Sequence, residues 1–270
     1  MADLQRLAIA SWNIHDRQAD LTAEQQHYLT RVLRLGEGDR FIAMDGVSHW
    51  WLAVLEVDPS NPNKLIASLL EQLPVKNELP VRVTLTIALP KKGLDDIARY
   101  ACELGVTSIV PVISARTLLK PSRQKLERWR RIAAEAAEQS ERQMVPSILE
   151  PGYYSTVLSD VNKKSSLDCP KYICVARKNA PHLLDMLAVF AANKLDLMET
   201  KTEFLLNHNP SIIIATGPEG GWTNSEVEEA IAAGFQPVSL GRRILRAVTA
   251  PIVALSLVTA AFEAKLGDNP

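Results

Sequence analysis

Beyond residue 80 the chain alternates short apolar runs with amphipathic stretches, and this order restricts the fold more than any other feature. VRVTLTIAL, VTSIVPVI, YICVA, SIIIAT and PVSL are each followed by a helical pattern: from Leu94, over 122–143, near 182–192, over 223–233 and from Pro251. A strand apolar on successive residues must be buried on both faces, and parallel neighbours need a long crossover, usually a helix. The expectation is an α/β fold: a mostly parallel sheet covered by helices on both sides. Segments 144–171 and 193–210 are polar or irregular and read as surface insertions.

The first seventy-odd residues read instead mostly as strands. RFIAMDGVSHWWLAVLEV sets Asp45-Gly46 between apolar runs, a hairpin signal because glycine accepts the positive φ such turns require. KLIASLL follows as another strand, and TAEQQHYLTRVLRLGEGD reads as a short helix stopped near Gly36. EQLPVKNELP (71–80), with two prolines and mixed charge, is the linker candidate between a small β-rich domain and the α/β part.

With 30 Lys and Arg against 31 Asp and Glu the formal net charge is −1, so a polyanion must be met by a local patch and not by global attraction. Cys102, Cys169 and Cys174 are an odd set without a CxxC pair, and the five histidines are scattered without an HExxH pattern. Neither a disulfide framework nor a metal site is expected. The N-terminus lacks a basic region followed by a signal-length apolar stretch, and the run from Pro251 to Phe262 is far short of the ~20 residues that span a bilayer. The expectation is a cytoplasmic protein with no membrane partner.

Four stretches can carry chemistry. In SIIIATGPEGGWTNSEVEEA an apolar run ends at Thr216, and Gly217, Gly220 and Gly221 lead into a helix. The spacing fits neither GxxxxGK[ST] nor GxGxxG. Thr223 and Glu226 fit a capping box, which satisfies helix N–H groups internally, and Glu219 would repel phosphate. A ligand with donors to be met, such as an adenine, a ribose or an ammonium group, suits this loop; a tight turn with glycines needed only for geometry is the alternative. SLGRRILRAVTAP (239–251) gathers Arg242, Arg243 and Arg246 after the next strand, and in a parallel sheet two such loops can line one pocket. ARTLLKPSRQKLERWRRIAAEAAEQSERQ has six cations and one anion between Lys120 and Arg131, suited to phosphate or simply to solvent. ALPKKGLDDIARYACELGV puts Lys91 and Lys92 at a strand end, where nucleic-acid contact is possible.

TGPEGGWTNSEVEEA followed by LGRRILR resembles the ribosomal RNA small subunit methyltransferase E family, of the knotted SPOUT class. HYLTRVLRLGEGD with DG is similar to that family's N-terminal PUA-like domain, and ELGVTSIVPVISART and AAEQSERQMVP also look like family blocks. The resemblance implies a PUA-like RNA-binding domain over 1–76 and a SPOUT methyltransferase domain over 77–270. It implies a trefoil knot, S-adenosylmethionine in a bent conformation, a homodimer, and methyl transfer to N3 of a uridine in 16S ribosomal RNA, within an assembled small subunit. Carried over by position, Leu89, Thr216, Gly217, Glu219, Gly220, Leu240, Gly241, Ile244, Leu245 and Arg246 are cofactor-binding, and Arg116, Arg142 and Arg246 catalytic. Arg31, Arg34, Lys91, Lys92, Lys120, Arg123, Arg128 and Arg131 are the RNA-binding candidates.

Two positions depart from the family pattern. Val248 stands where the family often has glutamate, so no acid–base role can be assigned there, and Glu141 stands where it often has glycine before an arginine. Two alternatives follow: a non-catalytic RNA-binding or assembly protein on the same fold, and a SPOUT methyltransferase acting on another RNA.

Overall fold

The computed structural model describes residues 4–47, 49–74, 77–118, 121–164, 168–177, 179–200 and 210–264. The chain divides into two compact units, Met1–Glu78 with Ala134–Val145, and Leu79–Ala133 with Pro146–Pro270.

The first unit is built on a six-stranded sheet: β1 (Arg6–Ala8), β2 (Ile14–His15), β3 (Gln18–Asp20), β4 (Arg40–Met44), β5 (Trp50–Asp58) and β6 (Asn61–Leu73), in the order β1-β4-β5-β6-β3-β2. The β4–β5 hairpin forms where Asp45-Gly46 predicts it, with Gly46 at φ +71. Asp45 holds the turn by accepting from the Val47 and His49 amides through Oδ1, each at 2.9 Å. Alternating side chains of these strands, among them Leu7, Phe41, Ala53 and Leu55, enclose a core closed by Leu29. Leu29 comes from the expected helix, which is α1 (Ala23–His27) followed by one π-turn, Tyr28–Val32. Thr22 and Gln25 start it with a capping box, and Arg34, at φ +59, ends it two residues before Gly36.

In the second unit β7 (Arg82–Ala88), β8 (Ser108–Ile113), β9 (Ser147–Ile148), β10 (Gly152–Tyr153), β11 (Lys171–Cys174), β12 (Ser211–Thr216) and β13 (Gln236–Val238) form a parallel sheet ordered β10-β8-β7-β12-β11-β13, with β9 on β8. Burial on both faces explains the unbroken apolar runs. On β12, Ile212 and Ile214 face one core with α2 (Leu94–Glu103), the first part of α3 (Arg123–Gln139), α5 (Leu183–Thr200) and α7 (Thr249–Glu263). Ile213 and Ala215 face the other core with α4 (Tyr154–Lys164) and α6 (Asn224–Ala232). The strands after β7 continue outward on one side and β12 leads to β13 on the other, which leaves a switch point at the carboxyl ends of β7 and β12.

Segment 144–171 is not a surface insertion. It supplies β9, β10 and α4, and Tyr154, Val157 and Leu158 cover the second sheet face. With half-buried Val161 those positions are an i, i+3, i+4, i+7 stripe, obscured in sequence by the polar residues Ser155, Thr156, Ser159 and Asp160 between them. Of 193–210, residues 193–200 continue α5, and 201–209 lie outside the described residues. Helix α3 ends at Gln139, short of the expected 143, and Glu141 follows at φ +59. Helix α7 is covered within its own unit by α2, α5 and β12, and Pro251 sits in its first turn as expected. Among the described residues no helix is long and apolar enough to cross a membrane.

One buried carboxyl in the first unit has a pH consequence. Glu138 Oε1 accepts from the Ala8 amide at 2.6 Å, and burial, helped by Glu135, raises its pKa from the ordinary 4.5 to about 7. A raised folded-state pKa means that the native state holds a proton the unfolded chain releases, so stability falls as pH rises from about 4.5 to about 7. Glu138→Gln keeps an acceptor for Ala8 and should remove that dependence; scanning calorimetry of both proteins at pH 5 and pH 8 reads it.

Candidate active site

Among the loops that leave the carboxyl edge of the sheet are 89–93 after β7, 114–118 after β8, 217–223 after β12 and 239–248 after β13. The β12 loop is the hub. Glu219 Oε1 accepts from the Lys91 amide at 2.8 Å, tying it to the β7 loop. Arg116 donates through Nη1 to the Gly220 carbonyl, and its Cδ lies 2.9 Å from where a Cβ on Gly220 would be. Glu226, 6 % exposed, forms the predicted capping box, accepting from the Thr223 amide and hydroxyl through Oε2 at 2.8 and 2.9 Å. Its other oxygen accepts from the Ala115 amide at 2.8 Å, and its carbonyl accepts from Tyr154 Oη at 2.6 Å. Burial, with the nearby Glu226 and Glu229 charges, raises the Tyr154 pKa, so it stays a donor. The β13 loop meets the β7 loop where Val248 Cγ1 lies 2.6 Å from the position of a Cβ on Gly93, whose φ is +91.

Two polar atoms in this region are buried with no hydrogen-bond partner among the described residues: Thr216 Oγ1, at the end of β12, and Trp222 Nε1. Trp222 stacks obliquely on Tyr154, with centroids 5.2 Å apart, and its indole lies 3.2 Å from where a Cβ on Gly217 would be. Gly241 has φ +111, and nothing lies within 4 Å of the place its Cβ would occupy. Gly241 leaves room in the loop after β13, and the Thr216 hydroxyl is an unsatisfied polar group at the end of β12. Among the described residues no group of three His, Cys, Asp or Glu side chains is placed to hold a metal ion.

The chain matches a family model described as an RNA methyltransferase domain over residues 77–259, and one described as an RNA methyltransferase PUA domain over 21–68. It is 46 % identical to the ribosomal RNA small subunit methyltransferase E of Synechocystis sp., across 96 % of this chain and 78 % of that protein. The Bacillus subtilis protein of the same name is 31 % identical, across 92 % of each. The chain belongs to the ribosomal RNA small subunit methyltransferase E family. Among solved structures, the family member from Neisseria gonorrhoeae bound to S-adenosyl methionine superposes with a TM-score of 0.77 at 29 % identity, across 96 % of this chain and 98 % of that one. The first unit contains the family's PUA-like domain.

Within that family frame the expected site residues separate into groups. Leu89 and Leu240 join one core at the carboxyl edge, and Thr216, Gly217, Glu219 and Gly220 follow β12 beside them. Arg116 and Lys91 touch that loop directly. Ile244 is 60 % exposed, and Leu245 and Arg246 follow it at the start of α7, where the Arg246 carbonyl accepts from the Thr249 and Ala250 amides at 2.9 and 3.0 Å. Lys92, Arg123, Arg128 and Arg131 are exposed on the same unit; Arg31 and Arg34 are exposed on the first unit, and Lys120 lies outside the described residues. Glu226, Trp222 and Tyr154 were missed as site residues; the capping-box pattern located Glu226 but not its second oxygen on Ala115.

Arg142 is in the first unit, 3 % exposed, and donates to Glu78 through Nε at 3.2 Å and Nη2 at 2.6 Å. Glu78 also accepts from the Met144 amide at 2.9 Å. Removing one partner of a buried pair strands the other's charge, so Arg142→Ala should destabilise the first unit by about 3 kcal/mol or more in urea unfolding.

Proposed function

We propose that this chain transfers a methyl group from S-adenosylmethionine to N3 of a uridine in 16S ribosomal RNA, in the cytoplasm and on the assembled small subunit. Family membership supports methyl transfer to RNA, and the cofactor bound by the Neisseria relative supports the choice of donor. The observation that carries the reading is the buried Thr216 hydroxyl, unpaired at the end of β12, together with the open face of Gly241 in the loop after β13. That pocket edge offers polar satisfaction without a phosphate-binding loop, which fits an adenosyl ligand. Glu219 and Glu226 fit the uncharged adenosine part of that ligand, because both are committed to holding loops. Thr216, Gly217, Gly220, Leu240, Gly241, Ile244 and Leu245 would hold it, with Leu89 closing the apolar side.

S-adenosylmethionine supplies an already electrophilic methyl on a sulfonium, so the chain need not activate the donor with a metal. What remains for the protein is to orient the uracil and stabilise the negative charge left when N3 loses its proton. Arg246 is exposed beside the β13 loop, and among the described residues its guanidinium has no hydrogen-bond or ion-pair partner. A cation beside the reacting ring stabilises the developing charge, and RNA seated over the exposed guanidinium would exclude water from it. Arg116, spent on the Gly220 carbonyl, positions the glycine loop in this scheme, and Arg142 supports the first unit. The proton passes to solvent, since Val248 offers no carboxylate.

The proposal includes the knotted C-terminal crossing of the class, supported by β12 lying between β7 and β11 with α7 returning onto β12. It also includes a homodimer, supported by half-buried Ile252, Val253 and Leu257 on a helix apolar nearly all round. Val248 favours a second reading, a non-catalytic RNA-binding member of the family. Nucleoside analysis of 16S ribosomal RNA from cells with and without the gene decides: a 3-methyluridine that disappears with the gene is expected, and its persistence would overturn the assignment.

Two substitutions test the site. Thr216→Val replaces a buried hydroxyl that has no partner by a methyl, so the fold should be as stable or more so while cofactor affinity, read by calorimetry, falls. Arg246→Ala should slow single-turnover methylation by about 10²-fold or more, the range for losing one preorganised donor, with a much smaller change in cofactor affinity.

A further inference from the structure

A second recess opens beside the cofactor edge. Between the 89–93 loop, the first turn of α2 and the start of α3 lies a cavity of about 470 Å³, within the size range of small-ligand sites. Lys91, Lys92, Lys125 and Arg128 line it beside Asp95 and Asp96. Both carboxylates are engaged. Asp95 accepts from Trp129 Nε1 at 2.9 Å through one oxygen and pairs with Arg128 Nη2 at 2.8 Å through the other, while Asp96 pairs with Arg99 at 3.3 Å. Trp129 is 4 % exposed, so its bond fixes Asp95, and Asp95 in turn fixes the guanidinium at the cavity wall. The three lysine ammonium groups have no ion-pair partner among the described residues.

Four cations, two from the 89–93 loop and two from α3, therefore converge on one space, and only Arg128 among them has a local anion as its partner. Such an arrangement is favourable only when an anion enters, because like charges brought together in a recess repel more strongly than on open surface. Lysines act on phosphate as point charges and do not read bases, so the recess suits positioning and not sequence recognition. Arg128 also lines an adjoining open groove of about 850 Å³ with Arg123 and Arg131, which extends the positive track along α3.

We propose that this cavity is a phosphate subsite for the RNA backbone next to the nucleotide that receives the methyl group. The placement rests on the proposed function and on two contacts. Leu89 lines the cavity and also closes the cofactor edge, and the amide of Lys91 is held by Glu219 of the glycine loop. The segment that carries the cations and the loop that holds the cofactor are thus hydrogen-bonded to each other. A phosphate held by Lys91, Lys92 and Lys125 fixes the register of the RNA against the methyl donor.

The test uses the full chain and its Lys125→Glu variant. A glutamate in the first turn of α3 suits the helix dipole, so folding is preserved; Lys91→Ala with Lys92→Ala is the second variant, should the first fail to fold. The substrate concentration for half-maximal single-turnover methylation of small subunits should rise about tenfold, with the saturating rate within about twofold and cofactor affinity unchanged. Log affinity for a 16S RNA fragment should lose about one unit of slope against log salt for each phosphate contact removed. Wild-type affinity and slope in the variants overturn the subsite while leaving the methyltransferase reading intact. If the wild type transfers no methyl at all, that reading falls, and the RNA-affinity arm still decides the subsite. Heat from inorganic phosphate or uridine monophosphate titrated into RNA-free protein, abolished by Lys125→Glu with RNA affinity unchanged, would instead assign the cavity to a free phosphate ligand.

Discussion

The Glu226 carboxylate sets the geometry of the carboxyl edge. One oxygen closes the N-terminus of α6 on Thr223 and the other reaches across to the amide of Ala115, so the loops after β8 and β12 share a single buried anion. Tyr154, from α4 on the same sheet face, anchors the same residue through its carbonyl. Each of these is a hydrogen bond to a charged or buried group, where loss of one partner leaves the other unsatisfied at a cost of about 1–3 kcal/mol. The glycine loop between β12 and α6 can therefore keep an open, left-handed backbone at Gly221 without collapsing onto a ligand space. Because the Glu226 amide is already taken by Thr223, the α6 N-terminus has fewer free N–H groups for an anion, and on the proposed reading the fit to an adenosyl group turns on Thr216, the glycine backbone and the arginines around it.

Much of the α/β unit was legible in sequence because its signals are local. Apolar runs marked β7, β8, β11, β12 and β13, the capping box marked α6, and Pro251 marked the start of α7. The placement of β12 between β7 and β11 is a matter of long-range pairing and leaves no trace in any short window. The polar segment 144–171 misled for the converse reason: α4 covers a sheet face with one narrow stripe, Tyr154, Val157, Leu158 and Val161, in an otherwise polar helix. The partner of Glu219 left no such trace: one of its oxygens is taken by the Lys91 amide, 128 positions away. Arg142 carries no sequence signal of its pairing either, since Glu78 lies 64 positions away.

The two departures from the family pattern have different physical weight. Glu141 sits at φ +59, a conformation that glycine adopts freely and other residues adopt at a cost of about 1 kcal/mol. Its carboxylate meets Arg6 at 2.8 Å and its carbonyl accepts from Asn77 Nδ2 at 3.2 Å, contacts that lie inside the first unit. The exposed ion pair offsets only part of that strain. Glycine is the residue this backbone asks for, and glutamate is tolerated there because its neighbours hold it.

Val248 is the more consequential departure, because it changes the charge of the edge. Its isopropyl group fills the space over Gly93, at the left-handed turn that opens α2, and so joins the β13 loop to the segment carrying Lys91 and Lys92. A carboxylate at this point would neutralise part of the positive charge contributed by those lysines and by Arg246. With valine there, the cations keep their field for whatever anion arrives. On the proposed reading two anions arrive together, the phosphate of the RNA backbone and the uracil ring that has lost its N3 proton. The same uncompensated charge that draws the phosphate also favours the deprotonated base, because an adjacent cation lowers the pKa of an acid. Losing the carboxylate thus removes a base from the protein and makes the substrate a stronger acid in the same step.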